Sequence, residues 1–163
     1  MLQAKAHVLL QLGNVDESLA VYKSLCPKLK QPSDIAKIYY TMACICRKNG
    51  RHDESLAYFK SELKVTKSAA ALGKHRVETT CRIYHDMARI HDECLGDYET
   101  SLKYYAKALK VQQRALKKCT NPVEEKELLS QILETQQCMG RIHYKRGEFT
   151  QALNVSFQEN VAV

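Results

Sequence analysis

The stretch that decides the fold runs from Tyr39 to Phe59. Residues 39–45 read Y-Y-T-M-A-C-I, and residues 50–59 read G-R-H-D-E-S-L-A-Y-F. The first block returns as Y-H-D-M-A-R-I at 84–90 and, shortened, as M-G-R-I at 139–142. The second returns as G-D-Y-E-T-S-L-K-Y-Y from Gly96 and G-E-F-T-Q-A-L-N-V-S from Gly147, and it occurs once upstream as G-N-V-D-E-S-L-A-V-Y from Gly13. The repeated unit is helix, glycine turn, helix. Self-similarity of this kind marks hairpins that bury their apolar faces only by stacking on neighbours.

Each repeated position has a physical purpose. A small residue on the first helix (Ala6, Ala43, Ala88, Gly140) faces a small residue five past the glycine (Ser18, Ser55, Ser101, Ala152), so the two helices can approach closely. The glycine allows a turn at positive φ. An acidic or threonine residue soon after it is expected to cap the next helix, and Tyr22, Phe59 and Tyr105 fill the gap to the following hairpin. A coarse reading predicts helices near 2–12, 15–26, 34–48, 53–68, 75–94, 98–118, 123–146 and 148–161. Pro27 stops the second helix, and Asp34 after Pro32 starts the third. Thr120-Asn121-Pro122-Val123-Glu124-Glu125 starts the seventh with a cap, a first-turn proline and acids favoured by the helix dipole. Ser68 to Lys74 either extends the fourth helix or forms a connection.

These residues resemble the tetratricopeptide repeat family, which places small residues at the two crossing positions, glycine at the turn and an aromatic late in the second helix. The family's early tryptophan is absent; Tyr39 and Tyr84 stand in its place. The glycines are 37, 46 and 51 residues apart, longer than the usual period of about 34. That elongation resembles the long-helix subgroup that includes kinesin light chains and Pins-like proteins. The resemblance implies an all-α, right-handed solenoid of about four antiparallel hairpins, with repeats near 1–30, 33–70, 75–118 and 123–163 in a single domain. No polar capping helix is evident at either end, so the chain reads as a piece of a longer array or as a self-associating segment.

Composition agrees with the helical reading. The 163 residues include three prolines and six glycines, and 45% are apolar. Seven cysteines, an odd number set in apolar helical stretches, point to a reducing compartment, and no leader or apolar span appears. Cytoplasm or nucleus is the expected location. The net charge of +7 is spread along the chain without a basic arm or stacking-aromatic motif, which disfavours nucleic acid as a partner.

Catalytic and metal chemistry find no support in the motifs. Cys81 and His85 lie four apart on one helix face, but Cys44 and Cys46 point about 160° apart at roughly 100° per residue, and no C-x-x-C pair occurs. His91 and His143 share the repeat position of Cys46, which favours packing over catalysis. No phosphate loop, nucleophile elbow or dinucleotide signature is present. We therefore expect no enzyme, no cofactor and no metal.

The resemblance places first helices on a concave side. Counted from the small residue, the inward positions are Gln3, His7, Leu10 and Gln11; Lys37, Tyr40, Thr41, Cys44, Arg47 and Lys48; Arg82, His85, Asp86, Arg89, Asp92 and Glu93; and Glu134, Gln137, Cys138, Arg141, Tyr144 and Lys145. Seven cations against four acids in that set imply a protein partner with an acidic peptide or helix. Lys37, Tyr40, Arg47, Arg82, His85, Arg89, Arg141, Tyr144 and Lys145 are the expected peptide contacts. Chaperone-binding members hold a C-terminal carboxylate with Lys and Asn in the first repeat, Asn in the second, and Lys and Arg in the third, at places filled here by Gln3 and His7, Tyr40 and Cys44, and His85 and Arg89. Only Arg89 fits, so chaperone tails are disfavoured.

Overall fold

The computed structural model describes residues 2–69 and 75–159. Among them every regular element is helical: α1 (Leu2–Gln11), α2 (Val15–Leu25), α3 (Pro32–Lys48), α4 (His52–Ser68), α5 (His75–Arg89), α6 (Tyr98–Leu116), α7 (Pro122–Lys145) and α8 (Phe149–Glu159). A short 3₁₀ turn, Cys26–Lys28, follows α2, and a π turn, Ile90–Cys94, prolongs α5. None of these helices is long and apolar enough to cross a membrane. The chain divides into two compact units, residues 1–76 and 77–163. In the first, Leu19 and Tyr22 of α2 share a core with Ile38, Met42 and Ile45 of α3. In the second, Ala88 and Tyr105 share one with Ile142, flanked by Leu102 and Met139.

The hairpins are pinned at the small-residue crossing. Ser18 Oγ donates to the Ala6 carbonyl, Ser55 Oγ to Ala43 and Ser101 Oγ to Ala88, each at 2.8 Å, with all six residues fully buried. Each carbonyl uses its second lone pair for this bond. In the fourth hairpin the pair is Gly140 and Ala152. A Cβ at Gly140 would meet its nearest atom, the Ala152 carbonyl oxygen, at 3.8 Å, an ordinary contact.

The turns also repeat. Gly13, Gly50, Gly96 and Gly147 all have φ between +65° and +80°, a conformation that costs a side-chain-bearing residue roughly 1 kcal/mol. The residue after the glycine donates back to the first helix: Asn14 to Leu9, Arg51 to Cys46 and Glu148 to His143, each at 2.9 Å. Seven residues separate the small residue from the glycine in three repeats, but eight separate Ala88 from Gly96. The π turn absorbs the extra residue, with Leu95 N–H bonding the Ile90 carbonyl, so that Asp97 still reaches His91 at 2.8 Å.

Capping differs from the sequence expectation. Of the acids after the turn glycines, Asp97 accepts a capping bond, from Thr100 N–H at 3.0 Å. Asp16, Glu17, Asp53 and Glu54 instead occupy first turns, where they favour the helix dipole without capping. Helix α3 begins at Pro32, with Asp34 inside its first turn, while Asn121 caps α7 as expected by accepting from Val123 N–H at 2.9 Å. Helix α4 ends at Ser68, and residues 70–74 of the expected connection lie outside the described residues.

Replacing Gly140 with Ala removes a flexible mid-helix residue without a clash. Chemical denaturation should show a gain of about 0.5–1 kcal/mol. Ser101→Ala, which deletes a buried hydroxyl bond, should cost about 1 kcal/mol in the same assay.

Candidate functional site

In the second unit α5 and α7 both run antiparallel to α6, so they share a direction and leave an open cleft of about 500 Å³ between them. Its lining comprises Glu78, Cys81, Arg82, His85, Asp86, Arg89 and Glu93 from α5 and the π turn, Tyr105 and Gln112 from α6, and Gln131, Glu134, Cys138 and Arg141 from α7. The stride along α5 is 78, 82, 85, 89 and along α7 it is 131, 134, 138, 141, which is one face of each helix.

The floor is a polar network. His85 Nε2 lies 2.9 Å from Thr135 Oγ1, which bonds the Gln112 side-chain carbonyl at 3.0 Å, and Gln112 Nε2 donates to the Gln131 carbonyl at 3.2 Å. The His85 ring also meets the buried Tyr105 ring edge-on at 5.1 Å. Burial holds the His85 imidazole below its ordinary value, and Glu134 and Asp86 only partly oppose this. The ring is therefore neutral at neutral pH. Burial also pushes the Cys81 thiol up to about 12, and its sulfur donates to the Ala108 carbonyl, so it is an unreactive packing group.

The rim carries the charges. Arg82 pairs with Asp86 at 3.2 Å and Arg89 with Glu93 at 3.2 Å, each one turn along its own helix. The hydrogen bond to Glu93 raises the Arg89 pKa. The exposed Arg141 contacts the Cys138 sulfur at 3.3 Å. Arg82, Arg89 and Arg141 thus face Glu78, Asp86, Glu93 and Glu134, a mixed rim rather than a basic one. Along α5 and the π turn the signs alternate, Glu78, Arg82, Asp86, Arg89 and Glu93, while Arg89 and Arg141 both stand toward the C-terminal ends of their helices.

Of the residues expected from sequence, Arg82, His85, Arg89 and Arg141 meet in this cleft. Lys145 and Tyr144 are not in its lining. Lys145 Nζ binds the buried Asp92 carboxylate at 2.7 Å and lies 5.9 Å from the Tyr98 ring. Tyr144 pairs with Phe149 across the Gly147 turn at 5.5 Å. Lys37, Tyr40 and Arg47 stand on α3 of the first unit. There Lys37 reaches Asp34 at 3.6 Å and the half-exposed Tyr40 ring lies 6.4 Å from Phe59. Glu78, Tyr105, Gln112 and Gln131 were missed. Extending the same helical stride one turn toward each N-terminus would have found Glu78 and Gln131. Histidines 91 and 143 serve the turns: His91 stacks on Tyr104 at 5.5 Å and His143 Nδ1 meets Glu148 at 2.6 Å. Among the described residues no three His, Cys, Asp or Glu side chains converge as metal ligands.

Residues 34–114, which contain the second and third glycine turns, match the tetratricopeptide repeat family model. The chain belongs to the tetratricopeptide repeat family. Among solved structures it is similar to BtubC (BKLC) from P. vanneervenii, with 17% identity, 95% of this chain and 75% of that one covered, and a TM-score of 0.52. A putative kinesin light chain from Podosopora anserina with nearly identical TPR-like repeats aligns over 98% of this chain and 92% of its own, at 15% identity and a TM-score of 0.48. No curated protein sequence matches.

Two outcomes follow from the site's electrostatics. Lys145→Met leaves Asp92 buried without its cation and should lower stability by about 2 kcal/mol or more in urea titrations. His85, with its folded pKa depressed, contributes stability that is present above its ordinary value of 6.5 and lost as pH falls from there toward the folded value. The melting temperature should drop more between neutral and mildly acidic pH for the native chain than for His85→Gln; equal drops would remove His85 as the cause.

Proposed function

We propose that the chain is a non-enzymatic scaffold whose α5–α7 cleft takes a peptide or helix of a partner protein, with acidic residues of the ligand held at the Arg89–Arg141 end. Tetratricopeptide repeats as a class mediate protein–protein interaction. The observation that supports the finer reading is the pair of arginines at one repeat position on neighbouring first helices. Arg89 and Arg141 both line a polar-floored cleft toward the C-terminal ends of their helices, with Asp86 and Glu93 flanking Arg89. A ligand carboxylate would bridge Arg141 and Arg89, competing with Glu93 for the latter, because forked guanidinium donors match carboxylate geometry. Lys37, Tyr40 and Arg47 are the contacts we assign on α3, with Tyr40 offering flat apolar area.

Selection from a random peptide library displayed on phage tests this reading. Enriched sequences should carry Asp or Glu at one end and bind about tenfold more weakly for each arginine reversed in Arg89→Glu and Arg141→Glu. Enriched sequences free of acid, or affinity untouched by the double reversal, would overturn it.

A further inference from the structure

Much of the chain's charge gathers on one helix. Between Tyr98 and Lys118 stand six cations, Lys103, Lys107, Lys110, Arg114, Lys117 and Lys118, and one acid, Glu99, a net +5 against +7 for all 163 residues. Five of the six fall at 103, 107, 110, 114 and 117, alternately four and three apart, which is one face of a helix. Residues dispersed in sequence thus become a line about 21 Å long on α6. All of them are exposed, and the buried Tyr105 and Gln112, which reach the cleft, lie on the opposite side of the same helix.

Helix stability alone does not account for this line. Lys103 pairs with Glu99 at 2.6 Å, and Lys107 lies over the Tyr104 ring at 4.8 Å. Among the described residues no carboxylate pairs with Lys107, Lys110, Arg114, Lys117 or Lys118. On α5, by contrast, Arg82 and Arg89 each have an acid one turn on. The helix dipole favours Arg114 and Lys117 at the C-terminal end of α6 but not Lys107 and Lys110 further back. Like charges three and four apart repel along a helix, so the line costs α6 stability that an acidic partner would restore.

We propose that the outer face of α6 docks an acidic helix of a partner protein, laid along the line of cations. Charge complementarity sets the sign of the occupant, and spacing sets its shape. A helix with acids three and four apart repeats every 5.4 Å or so, about the spacing of the cations; one face of an extended strand repeats at roughly 6.7 Å and would slip a full position over the row. The exposed Ala106 and Gln113 beside the line carry no charge. The cations therefore form a line rather than the broad field that suits a bilayer surface or a duplex. This contact is separate from the α5–α7 cleft and does not rest on the reading of that cleft.

Fluorescence anisotropy on the 163-residue chain tests the proposal. The probe is a stapled helical peptide of about 18 residues with glutamates in the same alternation of four and three. A control peptide has the same composition with its glutamates spread around the helix. The chain should bind the probe about tenfold more tightly than the control, and Lys110→Glu with Arg114→Glu should weaken that binding at least about tenfold. Both positions are exposed, so the variant keeps its fold, which helical circular dichroism checks; Lys110→Gln with Arg114→Gln should give a smaller loss in the same direction. The loss should be the same in a chain that also carries Arg89→Glu and Arg141→Glu, which separates this surface from the cleft. Equal binding of the two peptides, an affinity untouched by either α6 variant, a loss that vanishes once the cleft is reversed, or tighter binding to phosphatidylserine vesicles or duplex DNA than to the probe would each overturn the proposal.

Discussion

Every hairpin in this protein depends on two helices touching with almost nothing between them. At three crossings the contact is a serine hydroxyl on one helix donating to an alanine carbonyl on the other at 2.8 Å. A hydroxyl is small enough to permit the approach and polar enough to need the carbonyl once buried. The bond therefore fixes rotation about each helix axis as well as separation. That rotation aims Arg82, His85 and Arg89 from one side of α5 and Ala88 from another. At the fourth crossing Gly140 and Ala152 keep the proximity without that hydroxyl, so rotation there is set by apolar packing.

The helices were legible because local chemistry and long-range packing favour the same elements. Glycine appears where φ is positive, small residues where helices cross, and proline at the first turns of α3 and α7. The π turn was written in the sequence as eight residues between Ala88 and Gly96 where other repeats have seven. The consequence, one widened turn that keeps the Asp97 to His91 bond, requires knowing which bonds the turn must preserve. Capping was overread for a related reason. Asp16 and Asp53 have the right chemistry, but the return bond from the residue after the glycine already sets the turn, and they work through the dipole instead.

Half of the site was equally legible. A helical stride from one small residue finds Arg82, His85 and Arg89, and from the next it finds Glu134, Cys138 and Arg141. Charge counted by position did not show which charges were already engaged. Arg82 with Asp86 and Arg89 with Glu93 are visible as pairs four apart. Lys145 with Asp92 spans 53 residues and exists only once α5 and α7 lie together. The buried floor was hidden more deeply, because Gln112 and Thr135 belong to different helices and neither carries a motif.

The same repeat position thus takes opposite roles according to its neighbours. One residue past the small residue lie Arg89 and Arg141. The first is held by Glu93, and the second rests on a thiol that binds a guanidinium weakly. On the proposed acidic-peptide reading, Arg141 is therefore the one of the pair that a ligand carboxylate would engage with least competition, and Arg89 would add a second contact only by loosening Glu93. Discrimination would come from that exchange. A ligand with one acid would gain Arg141 alone, and a ligand with two in the right spacing would also displace an internal ion pair whose exposed partners lose little by separating.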